Sequence, residues 1–171
     1  MEISLYPSLN NTPDLLEVVD KNNTPLCVMR KQDVLRQGLH HRAVGLLVRD
    51  RLGRALLTHR AGLGWGISSF GRLPAGQSSE RRAQQLFFDE WGHDGRILPL
   101  GVSAPGPESF NAFVELYEGR MPVSLASTAV RDPDLHMLVD YDELRGIGTH
   151  FGELLSPFLR SVVQAGLVRP R

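Results

Sequence analysis

Two neighbouring carboxylates, Asp89 and Glu90, are the residues of this chain best placed to do chemistry. They close the stretch GRLPAGQSSERRAQQLFFDEWGH, which runs from Gly71 to His93. Gly71 and Gly76 bracket Pro74 where the chain must reverse, and Ser78 or Ser79 can cap the first free N–H groups of a helix. Glu80 falls in the first turn, where the helix dipole favours negative charge. Gly92 suits a left-handed stop. The residues between, Arg81 to Trp91, make about three turns. On that helix Ala83, Leu86, Phe87 and Trp91 share one apolar face. Glu90 projects almost into the middle of the stripe, and Asp89 lies at its edge beside Leu86. A carboxylate on a buried face is costly unless it is paired, neutralised or bound to a cation. Two readings stay open: a pair that collects a cation, or a surface pair on the last turn held by a nearby arginine. Arg81 and Arg82 are expected on the solvated face.

The rest of the chain must position this stretch. Its 171 residues suit one domain with a real core. Nineteen basic residues balance 19 acidic ones, so charge gives no sign of a nucleic-acid scaffold or a membrane surface as partner. A single cysteine, Cys27, leaves no internal disulfide and no multi-cysteine zinc site. It reads as a small buried hydrophobe rather than a nucleophile. No apolar run nears the ~20 residues of a membrane span, and the first residues lack a basic-then-apolar leader, so a cytoplasmic protein is expected.

Residues 1–14 read as a loosely held lead-in. Leu15 to Val19 and Thr24 to Met29 suit a hairpin around Asp20-Lys21-Asn22-Asn23, followed by a short helix closed by Gly38. Ala43 to Arg49 is a nearly continuous apolar run, as in a strand buried on both faces, and it pairs with Ala55 to Arg60 across a turn at Gly53. Trp65 to Phe70 is expected as one short strand leading into Gly71. After the helix, Arg96 to Val102 and Phe110 to Glu118 read as strands, and the APGPES loop between them suits a pocket rim. Leu135 to Val139 is a last strand, YDELRGI a short helical step, and residues 152–165 a terminal helix with Pro157 near its start.

The Gly71–His93 stretch resembles the signature of the Nudix hydrolases: a glycine, five residues, Glu, seven residues, then Arg-Glu-aliphatic-x-Glu-Glu-x-Gly-aliphatic. Gly71 takes the opening glycine, Asp89 and Glu90 the Glu-Glu pair, and Gly92 the closing glycine. Gln77 stands for the first Glu, Gln85 for the Arg, Leu86 for the first Glu of the helical cluster, and His93 for the last aliphatic residue. LLTHR, residues 56–60, matches the strand that precedes the box. The hairpin and short helix before HHRAV are similar to the lead-in of a subgroup containing type I isopentenyl-diphosphate isomerases. The resemblance covers roughly residues 15–165.

It implies an α+β fold, an α/β/α sandwich around a mixed sheet. Residues 1–40 would form an N-terminal extension with the hairpin, 41–147 the core, and 148–171 a C-terminal helix packed on it. It also implies Mg²⁺- or Mn²⁺-dependent cleavage of a phosphoanhydride, in a nucleoside di- or triphosphate or a nucleoside diphosphate linked to another moiety. Glu90 would lead metal ligation, with Asp89 as co-ligand or as base, joined by the Gly71 backbone oxygen and the Gln77 amide oxygen. Arg60, Arg72, Trp65 and Phe70 would hold the substrate. Glu115 and Glu118 are candidate bases outside the box. Leu86 removes one ligand, so the metal site is expected to be weak and to fill when substrate arrives. A homodimer stays an open alternative.

Two rivals remain. Type I isomerases place a catalytic Cys before the opening glycine and a metal-binding His after it. Here those positions hold Phe70, which transfers no proton, and Arg72, which ligates no cation. His41 matches a histidine of that subgroup but alone supports no isomerase site. The second rival is a Nudix-shaped nucleotide-binding module without turnover, as the losses at 77, 85 and 86 would produce. In it Arg72 would hold phosphate directly.

Overall fold

A computed structural model describes residues 15–170, so the lead-in over residues 1–14 lies outside the described residues. The first elements are the hairpin β1 (Leu15–Val19) and β2 (Pro25–Arg30) and the short helix α1 (Lys31–Arg36). Asp20 closes the hairpin turn, its Oδ1 accepting from the N–H groups of Asn22 at 2.8 Å and Thr24 at 2.9 Å. This is the local bonding that makes aspartate a turn residue. Cys27 lies on β2 and is exposed, which corrects the expectation of a buried one. The two-stranded sheet buries only one side, through Leu16 and Val18 against Val34 of α1, and Cys27, which pairs with Val18, stays exposed at the margin of that small core.

The main sheet is built on β3 (His41–Arg49), whose apolar run is buried on both faces as its composition requires. β8 (Ala112–Arg120) pairs with it in parallel from His41↔Ala112 to Arg49↔Arg120. β7 (Ile97–Ser103) lies antiparallel on the outer side of β8. On the other side β3 is shared by two strands. β4 (Ala55–Arg60) takes only Val48 and Arg49, and β6 (Ser69–Arg72) takes Ala43 to Leu46. β5 (Gly64–Gly66) and β9 (His136–Val139) pair with β4. The single strand expected over Trp65–Phe70 is therefore two. Ser68 explains the break: its buried hydroxyl accepts from Val48 N–H at 2.7 Å and donates to Leu56 carbonyl at 2.6 Å. That satisfies backbone groups where β3 and β4 part, and frees the next residues to pair with β3.

Helix α2 (Ser79–Trp91) covers one face of the sheet, with Ala83, Leu86 and Phe87 packed on Val44, Leu46 and Val48. The opposite face carries α4 (Tyr141–His150) and α5 (Pro157–Gln164), through Leu144, Phe158, Leu159 and Val162 against Leu47, Leu57 and Leu116. The result is the expected α/β/α arrangement around a mixed sheet. A short helix, α3 (Ala126–Arg131), falls where no element was expected; it has no side-chain cap and no buried residue, so neither signal marks it. α4 is longer than its expected step, started by a reciprocal Asp140–Glu143 capping box. The terminal helix is shorter than expected. A 3-10 turn over Gly152–Leu154 precedes it, Leu155 is extended, Ser156 caps, and Pro157 opens the helix. A residue before proline is driven out of helical conformation, so the two segments cannot fuse. No described helix is long and apolar enough to cross a membrane.

Candidate active site

The box loop is held from two sides. Leu73 N–H donates to the Arg42 carbonyl and Ala75 N–H to the Leu15 carbonyl, both at 3.0 Å, so the N-terminal hairpin anchors the turn around Pro74. Arg42 in turn grips the hairpin, reaching Glu17 at 2.6 Å and Asn23 Oδ1 at 2.8 Å. Ser78 caps α2 by accepting from Arg81 N–H, and Gly92 ends it at φ 64°, a left-handed stop.

β6 alternates between the two layers. Its register puts Ser69 and Gly71 on the α2 side with Leu46 and Val44, and Phe70 and Arg72 on the other. On the α2 side, Ser69 Oγ donates a short hydrogen bond to Glu90 Oε2 and accepts from Trp91 Nε1 at 2.8 Å. Trp91 thus orients the hydroxyl that orients the carboxylate. Glu90 is otherwise solvent-accessible, and Asp89 is exposed beside it. Leu86 is 0 % exposed, one helical turn before Glu90. Gln77 lies near the head of the helix and donates to Gln85 Oε1 at 3.3 Å.

Arg82 corrects the expectation of a solvated side chain. It is 4 % exposed, its Nε donating to the Arg72 carbonyl at 3.2 Å and its Nη1 to Gln85 Oε1 at 3.1 Å. The guanidinium lies against the open side of Gly71, where an added Cβ would come within 2.8 Å of Nη2. Nη2 is buried with no hydrogen-bond partner among the described residues. Burial lowers the Arg82 pKa, and the negative charges of Glu90 and Asp89 act against that shift. The helix period was the available signal: Arg82 lies four residues before Leu86 on the apolar side, and Arg81 does not.

On the far side of β6 is a cavity of about 160 Å³. Phe70, Phe110, Phe158, Ile67 and Arg60 line it, and Pro107 and Glu108 form its rim as expected of the APGPES loop. Phe70 and Phe158 meet edge to face with centroids 5.7 Å apart. Arg72 sits over the Phe110 ring, 5.9 Å from its centroid. Of the four substrate-binding expectations, Arg60 and Phe70 line this cleft, and Arg72 meets it only through the Phe110 ring. Trp65 is not among its lining residues; it packs edge to face with His59, centroids 5.0 Å apart. β6 pairs only with β3 among the described strands, so its other edge lies between the acid side and the cavity.

The two outlying acids have other partners. Glu118 is 0 % exposed and bound by Arg49 and Arg120, each at 3.0 Å, so it is a structural ion pair and no free base. Glu115 accepts from Ser79 Oγ and from Tyr117 Oη, tying β8 to the head of α2. The Tyr117 pKa is raised, first by burial, then through its acidic neighbours.

Mg²⁺ prefers oxygen ligands and keeps several waters. Among the described residues no three His, Cys, Asp or Glu side chains cluster to hold a metal. Asp89 and Glu90 with nearby backbone oxygens do not make a self-sufficient cage. They do suit an ion that brings phosphate oxygens of its own, for which one or two protein carboxylates are enough.

No protein-family model matches the chain. A curated relative, isopentenyl-diphosphate Delta-isomerase 2 of Photorhabdus laumondii, is 33% identical over 88 residues, 47% of this chain and 49% of that protein. The match thus spans about half the length of that relative. The architecture is similar to DR0079 from Deinococcus radiodurans (TM-score 0.65, 16% identity, 88% of this chain and 97% of that one). It is also similar to a MutT protein from Methanosarcina mazei Go1 (0.54, 13%, 74% and 91%) and to a mutT/nudix family protein from Listeria innocua (0.51, 14%, 72% and 92%). A mixed sheet between helical layers, the glycine-opened loop and the helix that ends in Asp89-Glu90 thus make this chain a Nudix-fold protein.

Proposed function

We propose that this chain hydrolyses a phosphoanhydride in a small diphosphate-bearing substrate, a nucleoside di- or triphosphate or a nucleoside diphosphate linked to another moiety. The observation that carries the reading is the Trp91–Ser69–Glu90 chain of hydrogen bonds, which holds one carboxylate on the face of β6 opposite an aromatic cavity. A preoriented acid near a pocket able to take a flat ring supports cleavage of a diphosphate that carries such a group. The phosphates would lie at the free edge of β6, and the organic group between Phe70, Phe110 and Phe158. Arg60 and Arg72 supply charge-assisted donors to phosphate oxygens.

A divalent ion, Mg²⁺ or Mn²⁺, would be held by Glu90 and Asp89 when it arrives with the phosphates, and supplies charge that polarises the phosphoryl group. Asp89, exposed and adjacent, accepts the proton of the attacking water. The water oxygen forms the new P–O bond, the anhydride P–O bond breaks, and the leaving phosphate departs with its electron pair. Isomerase chemistry is not proposed. Phe70 is packed on Phe158, Arg72 sits over Phe110, and neither replaces the thiol or imidazole of that reaction.

One observation favours a second reading, binding without turnover: buried Leu86 occupies the position of a family carboxylate. A panel of nucleoside di- and triphosphates and sugar nucleotides, assayed with and without Mg²⁺, separates the two. Phosphate or pyrophosphate release that Glu90→Gln abolishes supports hydrolysis. Saturable nucleotide binding with no release supports the binding module.

A further inference from the structure

Arg82, Leu86 and Glu90 are spaced four residues apart and form one stripe of α2 facing β6. Glu90 is anchored on Ser69, and the Arg82 guanidinium lies on Gly71, two residues along the same face of the strand. Two residues of strand span about 7 Å, so cation and acid anchor side by side with the Leu86 side chain between them. Arg82 is 4 % exposed, and its Nη2 finds no hydrogen-bond partner among the described residues. Its other bonds go to neutral oxygens, those of the Arg72 carbonyl and the Gln85 amide. A buried guanidinium without an ion-paired acid is expensive unless nearby negative charge stabilises it across a short distance. The charges that do so here are Glu90 and Asp89.

We infer that Arg82 is a resident cation of this site, which balances the charge of the Glu90–Asp89 pair where a protein-bound divalent ion would otherwise do so in the free protein. The inference rests on the site proposed above but not on turnover. Leu86 removes a negative charge from the stripe, and Arg82 adds a positive one at its other end. Both changes weaken the field that would draw a free cation, and neither prevents an ion from entering with its own phosphates. A +1 and a +2 charge about 7 Å apart in a solvent-like dielectric repel enough to change affinity about tenfold.

The test is Mn²⁺ binding to the whole chain without nucleotide, followed by calorimetry and by electron paramagnetic resonance of the free ion. Wild type and Arg82→Lys, which keeps the charge, should bind weakly and alike. Arg82→Met, which keeps the length and loses the charge, should bind about tenfold more tightly. Equal affinity of wild type and Arg82→Met overturns the inference, as does tight binding by wild type. If Arg82→Met does not fold, wild type alone decides. Failure of hydrolysis in the substrate panel leaves these outcomes unchanged, so the two proposals fail separately.

Discussion

Two buried arginines, Arg49 and Arg82, lie in different surroundings. Arg49 ends β3, with Nε at 3.0 Å from Glu118, Nη1 donating to the Gly53 carbonyl and Nη2 to the Arg169 carbonyl. Each nitrogen has an oxygen, and one of those oxygens is a buried carboxylate. Arg82 has two neutral acceptors and a third nitrogen with none. The first is a closed structural knot joining β3, β8 and the end of the chain. The second is incomplete, and it stands near the two acids that close the box, Asp89 and Glu90. A desolvated charge left partly unmatched is costly, and sites that must meet a ligand are where such cost is found.

The sharpest way to break the comparison is to remove one partner from each arginine. Glu118→Gln should destabilise the fold by about 3–5 kcal/mol, read by urea unfolding, because Arg49 is left buried without its counter-charge. Next comes Glu90→Gln, expected to lower hydrolysis at least ~100-fold while costing clearly less stability than Glu118→Gln, since Glu90 is exposed and Asp89 remains to balance Arg82. A large stability loss with normal turnover would place Glu90 with Glu118 among the structural acids. Arg82→Met should change stability by about 1–3 kcal/mol, less than Glu118→Gln, because its bonds are to neutral oxygens. Equal losses would erase the difference between the two arginines.

The smallest effect concerns a buried imidazole. His41 lies at the entry of β3, with Nδ1 3.0 Å from the Leu39 carbonyl. Burial lowers its pKa below the ordinary 6.5, and the nearby positive groups Arg72 and His40 act in the same direction. The unfolded chain then takes up the proton first, so stability is complete above pH 6.5 and falls as pH drops through that value toward the folded pKa. The slope of unfolding free energy between pH 7 and pH 5 should flatten in His41→Gln. An unchanged slope would show that His41 takes up its proton over the same pH range folded and unfolded.

Much of the framework was readable from local rules. The N-cap at Ser78, the stop at Gly92, the apolar stripe of Ala83, Leu86 and Phe87 and the doubly buried run of β3 depend on neighbours close in the chain, and these elements formed where they were expected. The division of Trp65–Phe70 into two strands was not readable, because it depends on Ser68 meeting Val48 and Leu56 from distant segments. Cys27 illustrates the same limit. It pairs with Val18 on the side that Val34 covers, and only the extent of that packing decided that the cover reaches Met29 and stops short of Cys27.

The site divides along the same line. By itself the sequence determined that Asp89 and Glu90 close one helix, that a glycine loop opens it, and that position 86 lacks an acid, since spacing along a chain is a covalent fact. Tertiary structure alone decided that Glu90 meets Ser69, that the Arg82 guanidinium lies on Gly71, and that Glu118 belongs to Arg49. Spacing along the helix sets which side chains face the sheet, and the partner each one finds there is settled by packing between parts of the chain remote in sequence.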